Sequence, residues 1–303
     1  MLDFRAEMLD FEFLSRYYPL RFDRIEFARD GGSESYIAYA AGEKYFLRRI
    51  KPAFIEAAVR GAEVQVFLQA RGFSAPPVVR TKDGAACAQG DGLFILYAYI
   101  EGGEADPLQD ANAVGALTGR MHDIMQSYPG RLIRRDKQYY IGRYVDLLRG
   151  RHYPKAEDFA ALGEALWARV RDLPRGACHG DLYRGNVLKT PEGRFFILDF
   201  DTFCEGFSLY DAALFCNRTD YFKFTRGGYA KTRRAFEEFL PAYLNQYALE
   251  QADFNALCDL IGVYHFALQA TMIALYGPDC VDEAFLDNQL HWLLRWTKQT
   301  GGA

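Results

Sequence analysis

The stretch that most constrains this chain is Cys178-His179-Gly180-Asp181-Leu182-Tyr183-Arg184-Gly185-Asn186-Val187-Leu188, with Asp199 standing thirteen residues after Asn186 in Ile197-Leu198-Asp199-Phe200-Asp201. It reads as a polar loop, a short apolar strand, a turn at Thr190-Pro191-Glu192-Gly193 and a second apolar strand. That is the pattern of a hairpin. Asp181 and Asn186 then sit on the loop entering the hairpin, and Asp199 on the strand leaving it. Three oxygen-bearing side chains converge at one end of a two-stranded element. Such a set suits Mg²⁺, which takes one or two carboxylates and completes its shell with water and phosphate.

His-Gly-Asp, an Asn five residues after the Asp, an apolar strand and Asp-Phe, in that order, resemble the catalytic loop of the aminoglycoside phosphotransferase, choline kinase and homoserine kinase superfamily, small-molecule relatives of the protein kinases. The resemblance covers about residues 25–215. It implies an α+β fold of protein-kinase-like, two-lobe type, with a small, mainly antiparallel β lobe and a larger helical lobe. It also implies phosphoryl transfer from ATP, with Mg²⁺, to a hydroxyl of a small molecule. Asp181, Asn186 and Asp199 would form the catalytic set: Asp181 as base, Asn186 and Asp199 as metal ligands. A loop in which His179 and Asp181 serve only as caps leaves the spacing of Asn186 and Asp199 unexplained.

The rest of the chain is organised to suit. Half of its 303 residues are hydrophobic, enough to bury a sizeable core. Residues 1–22 have helical spacing. Strands are expected at Arg24–Ala28, Ser35–Ala40, Glu43–Ile50, Val78–Arg80, Ala85–Gln89 and Leu93–Tyr99, with a helix over Ala53–Arg71 that stops at Gly72. Beyond Glu101-Gly102-Gly103 the pattern is helical, near Pro107–Gln126, Gln138–Gly150, Lys155–Arg171, Leu209–Cys216, Tyr229–Leu249, Ala252–Leu275 and Val281–Lys298. Two domains follow, 1–98 for the nucleotide and 99–303 for the catalytic loop and acceptor. Leu260–Pro278 carries no Asp, Glu, Lys or Arg, but His265, Gln269 and Thr271 interrupt it, and a buried helix is expected rather than a membrane span. Six cysteines without metal-ligand spacing read as reduced thiols, and an N-terminus with Asp3, Arg5, Glu7 and Asp10 is no signal peptide, so the expected location is cytoplasmic. A net charge of -4 argues against nucleic acid as a partner.

The resemblance also assigns a nucleotide site. Gly31-Gly32-Ser33, between the first two strands, takes the place of the loop over the phosphates. Arg48, after the apolar triplet Tyr45-Phe46-Leu47, takes the place of the phosphate-binding Lys; alternation puts Phe46, Arg48 and Ile50 on one face. Glu63 is its expected carboxylate partner, with Glu56 as runner-up. Leu93–Gly102 resembles the last strand and hinge, where adenine would meet backbone groups near Ala98 and Ile100. His122, in Gly119-Arg120-Met121-His122, and His179 read as structural. Asp211 matches the family's helix Asp that braces the catalytic loop. Asp201 either touches the metal or caps the next turn.

The acceptor is the least legible part. From Ala235 to Leu294 there is no Lys or Arg and there are nine acids, so an acidic wall could draw a cationic acceptor. Tyr264, Trp292 and Trp296 could add cation–π contacts. An amine-bearing alcohol, of aminoglycoside, choline or homoserine type, follows. Solvated acids and core Trp residues are the competing reading. The basic runs Arg131–Lys155 and Arg218–Arg234 could instead hold an anion. Two further readings stand beside the kinase. One is a non-catalytic or weakly catalytic kinase-like structural protein, since spore-coat kinase-like proteins resemble the chain at Leu198-Asp199-Phe200-Asp201. The other is a hydrolase with His179, Asp181, Asp199 and Asp201 on a metal.

Overall fold

The structure, a computed structural model, describes residues 11–90 and 92–301. The first ten residues of the expected N-terminal helix lie outside them. By contact the chain separates into two compact units: one runs to Glu104 and takes back Gly185–Phe203, and the other holds Ala105–Arg184 and everything from Cys204.

The first unit opens with α1 (Phe11–Tyr17) and an antiparallel run of β1 (Arg24–Asp30), β2 (Ser33–Ala40) and β3 (Glu43–Ile50). Helix α2 (Ile55–Gln69) follows, then β4 (Ala88–Gln89), β5 (Leu93–Ala98) and β6 (Gly103–Glu104). The sheet order is β1-β2-β3-β5-β4. Strand alternation sorts its two faces. Leu47, Leu96, Ala38 and Tyr36 pack with Leu14 and Tyr18 at α1, while Ile50, Ile95 and Tyr97 pack with Ala58 and Ala62 of α2. Two expected strands shrink. Val78–Arg80 contributes only a bridge from Val78 to Tyr97, because Pro76-Pro77 brings no N–H to a ladder. Ala85–Gln89 begins in a turn closed by Thr81 N–H on the carbonyl of Ala85.

The second unit begins with α3 (Ala111–Met125), a π-turn at Gln138–Gly142 leading into α4 (Arg143–Gly150), α5 (Ala156–Val170) and β7 (Arg175–Cys178). The chain then makes the hairpin β8 (Val187–Lys189) and β9 (Phe195–Ile197), as its sequence pattern required. This hairpin groups with the sheet unit. Leu188 and Lys189 of β8 pair with β6, and Ile197 N–H donates to the carbonyl of Ser74. The contiguous division at residue 98 therefore gives way to one in which the chain re-enters the first unit.

The remainder is β10 (Cys204–Phe207), α6 (Tyr210–Cys216), α7 (Arg226–Leu244), α8 (Phe254–Tyr276) and α9 (Glu283–Gln299). The β7–β10 pair was not legible in sequence: each strand has four residues, and Gly176 faces Gly206 across it. Helix α8 is long and apolar enough to cross a membrane, yet 67% of its most apolar window is buried within the protein. Asp253 caps it by accepting from the N–H groups of Asn255 and Ala256 at 2.8 and 2.9 Å.

Candidate active site

In the first unit the site is built around Arg48. Its side chain is only 10% exposed, on the α2 face of β3. Nε donates to Ser33 Oγ at 3.1 Å, and the two terminal nitrogens donate to Oδ1 and Oδ2 of Asp201 at 3.0 and 2.6 Å. This is a forked, charge-assisted pair. Asp199 Oδ1 adds an ionic contact at 3.6 Å. Burial pulls against the charge of Arg48, but Tyr97, Asp199 and Asp201 outweigh it and push its pKa up, so the guanidinium stays charged. The expected partnership with Glu63 is corrected here: Glu63 is exposed on α2, Glu56 pairs with Arg60, and Asp201 takes the guanidinium.

Arg48 forms one wall of a cavity of about 370 Å³. Phe46, Tyr97, Ala98 and Ile100 are among its apolar lining, and Asn186 and Asp199 bring oxygen-bearing side chains to it. That size and mixture fit a small-molecule site. Arg29 of β1 also lines it, a residue that sequence reasoning passed over because nothing in its spacing marks it. Gly31 and Gly32 are exposed and do not line the cavity; only Ser33 of that expected loop turns inward, to Arg48.

Pairing of Val187 with Ile197 sets the residues just outside that pair, Asn186 and Leu198, side by side, and Leu198 N–H donates to the carbonyl of Asn186 at 2.9 Å. Asp199 follows in the left-handed region at φ 59°. That conformation is unusual for a residue other than Gly and marks a site where backbone strain is tolerated. Its Oδ1 is buried without a hydrogen-bond partner. A buried carboxylate oxygen of this kind, with the 7% exposed Asn186 lining the same cavity, is the donor set a phosphate-bound Mg²⁺ uses. Among the described residues no group of three His, Cys, Asp or Glu side chains is placed to hold a metal.

The second unit carries Asp181. β7 ends at Cys178, and the loop turns at Gly180, whose φ of 80° suits glycine. Asp211, at the start of α6 and fully buried, accepts from the N–H of His179 at 2.7 Å and of Gly180 at 2.9 Å. It also accepts from His122 Nε2 at 3.0 Å, and His122 Nδ1 meets the Tyr243 hydroxyl at 2.8 Å. Burial alone would raise the pKa of Asp211; the bonds from His122 and the loop, with the nearby histidine charge, reverse this and hold it below the usual carboxylate value. Arg135 was not singled out from sequence. It is buried and donates to the carbonyl of Gly180 at 3.1 Å, so the loop is held from both sides. Asp181 itself is half-buried, and its N–H donates to His179 Nδ1 at 3.4 Å. Burial first, then the Asp181 charge, push the Tyr264 phenol up.

The expected acidic wall is not a surface feature of one kind. Asp253 and Asp282 cap α8 and α9, Asp259 pairs with Arg169, Asp287 with Lys155, and Glu237 with Arg233. Trp292 and Trp296 are buried and stacked on each other, and Trp292 also on His265, so neither is available to a cation. Burial pulls the pKa of His265 down to about 3, which keeps it neutral. In the basic run Arg131–Lys155, Lys137 pairs with Glu164 and Arg149 with Glu157 at the surface, while Arg143 donates to the carbonyl of Ala267.

Residues 25–260 match the profile of the phosphotransferase enzyme family (APH). An uncharacterised protein of Deinococcus radiodurans is 27% identical over 77% of this chain and 72% of its own length. A homoserine kinase of Pseudomonas aeruginosa is 28% identical over 49% of this chain, which spans about half (51%) of that enzyme. Among solved structures, an amicoumacin kinase has a TM-score of 0.72 at 17% identity, over 95% of this chain and 92% of its own. A microcompartment-associated aminopropanol kinase has a TM-score of 0.72 at 17% identity, over 96% and 97%. The choline kinase of Streptococcus pneumoniae has 0.61 at 14%, over 93% and 94%. These likenesses establish the fold.

Proposed function

We propose, starting from the fact that this chain belongs to the phosphotransferase enzyme family, that it moves the γ-phosphate of Mg-ATP to the hydroxyl of a small amine-bearing alcohol. It is a small-molecule kinase by family and by the enzymes it resembles. The finer reading rests above all on one observation. A single cavity joins a buried, charged Arg48 to a carboxylate oxygen of Asp199 that accepts no hydrogen bond from the protein. A cation and an unspent carboxylate in one small cavity suit a metal–phosphate group better than any neutral ligand.

In this reading Arg48 holds the phosphate tail. Asn186 and Asp199 would hold Mg²⁺, which neutralises charge on the phosphates during transfer. The N–H of Ala98 is spent on the carbonyl of Pro77 and that of Tyr99 on Lys44, so adenine is left the carbonyl of Ala98 and the N–H of Ile100. Asp181 orients the acceptor hydroxyl and takes its proton, with the loop braced by Asp211 and Arg135 so that the carboxylate is pre-positioned. That the amicoumacin kinase was solved with AMP-PNP and Ca²⁺ supports a nucleotide and a divalent cation here. The amine on the acceptor is supported by the aminopropanol and choline kinases among similar structures, and no longer by the acidic stretch.

The test is ADP release from Mg-ATP across amino-alcohols, choline, homoserine, aminoglycosides and sugars, with Asp181→Asn as control. Acceptor-dependent release that falls about a thousandfold in the variant, with nucleotide binding kept, is expected. Equal release in the variant would remove Asp181 as base. Wild-type protein that binds Mg-ATP but turns over no acceptor would favour the non-catalytic reading.

A further inference from the structure

We infer that Asp201 is a positioning residue for Arg48, doing from the metal-bearing turn what a helix carboxylate was expected to do, so that one short turn sets both the phosphate-binding cation and the metal ligand. The inference rests on the kinase reading and goes one step beyond it.

Four observations carry it. Arg48 has five N–H donors. Asp201 takes one from each terminal nitrogen and Ser33 takes Nε–H, which fixes the plane of the fork. Both oxygens of Asp201 already face the guanidinium, whereas Asp199, two residues earlier, keeps Oδ1 buried and without a hydrogen-bond partner. The two carboxylates thus have different work. Glu63, the helix carboxylate, is exposed. Finally, α2 carries Gly61 where it meets the turn. A Cβ there would stand 2.8 Å from the carbonyl carbon of Phe200 and 2.9 Å from the nitrogen of Asp201. Only a residue without a side chain lets this turn lie against the helix, and with the turn in that place Asp201 reaches Arg48.

The consequence is a coupling. Residues 199 and 201 share a turn, so the distance between cation and metal ligand is set by two residues of backbone rather than by the packing of a helix. An Arg fork suits this arrangement, because a two-point grip on one carboxylate defines its orientation, whereas an ammonium would swivel.

The experiment is steady-state kinetics and Mg-AMP-PNP binding on Asp201→Asn, Asp201→Glu, Glu63→Gln, Arg48→Lys, Arg48→Lys/Asp201→Asn and Gly61→Ala, each with Mg²⁺ titrated. Asp201→Asn is expected to raise the nucleotide KM about tenfold, the worth of a charged hydrogen bond, with half-saturating Mg²⁺ unchanged. Asp201→Glu recovers most of that, Glu63→Gln matches wild type, and the double variant is no worse than Arg48→Lys alone, as coupled residues require. Gly61→Ala, which keeps both charges, raises the nucleotide KM in the same way should Asp201→Asn not fold. A shift in half-saturating Mg²⁺ with unchanged nucleotide KM would make Asp201 a metal ligand and overturn the inference. So would a melting temperature that falls while KM stays put, or a Glu63→Gln variant that shows the loss instead. Wild-type protein that binds no nucleotide would overturn the kinase reading and this inference with it.

Discussion

Asp199 and Asp211 are two carboxylates of one chain, each beside a functional loop, and they are treated oppositely. Asp211 is fully buried and its oxygens are spent: two backbone N–H groups and His122 donate to it. Asp199 is partly exposed, sits on a left-handed backbone and keeps an oxygen that accepts no hydrogen bond from the protein. The contrast separates scaffolding from chemistry. A carboxylate whose acceptor capacity is used inward holds backbone in place, and one whose capacity is held in reserve is available to a ligand. Residue type alone says nothing of the difference.

The sharpest way to break this contrast is to neutralise each carboxylate without changing its shape. Asp199→Asn should lower turnover about a hundredfold, the scale of losing one charge-stabilising group, while the melting temperature stays within error. Asn tolerates the left-handed backbone as well as Asp does. A stability loss as large as the activity loss would show that Asp199 is scaffold after all. Asp211→Asn should do the reverse in kind. It should cost about 1–3 kcal/mol of stability by denaturant unfolding, because an amide cannot accept on both sides as the carboxylate does. An unchanged midpoint would mean that the loop holds without its brace.

Acid titration sharpens the same comparison. The pKa of Asp211 is depressed in the folded protein, so its contribution is fully present above the ordinary Asp value of about 4 and is lost as pH falls through the lower folded value. The stability difference between wild type and Asp211→Asn should therefore shrink as pH falls below about 4. A difference that stays constant to lower pH would show that the charge of Asp211 contributes nothing. The smallest effect expected lies away from both sites. Asp253→Ala should cost about 1 kcal/mol by removing the cap of α8, with acceptor specificity unchanged. A change in acceptor preference would restore the acidic stretch as part of the acceptor site.

The path from sequence to site shows where each kind of signal ends. The β8–β9 hairpin, the strand β3 and the face carrying Arg48 were legible because alternation and turn residues are local properties. The β7–β10 pair was not, since strands of four residues containing Gly176 and Gly206 have almost no local signature. Arg135 was lost inside a basic run that looks solvated, because a buried Arg and a surface Arg are the same letter. Five of the nine acids between Ala235 and Leu294 are engaged in caps or ion pairs, which a count alone did not show. Charge counted along a chain ignores caps, which form within the first turn of a helix, and ion pairs, which for Asp259 and Asp287 are made across the fold.

What the sequence determined by itself was the chemistry on offer: a loop with Asp181, a hairpin that sets Asn186 and Asp199 at its end, and a basic residue on β3. Those depend on spacing, and spacing fixes local geometry through the backbone. What only the tertiary structure decided was which groups are spent and which are kept. Asp201 was free, by sequence, to be a metal ligand or a cap. It became the partner of Arg48 because Gly61 lets the turn lie against α2, a close approach between residues more than a hundred positions apart. Pairing over such a distance depends on excluded volume and on the competition among donors for each oxygen, and neither is written in any local stretch of chain.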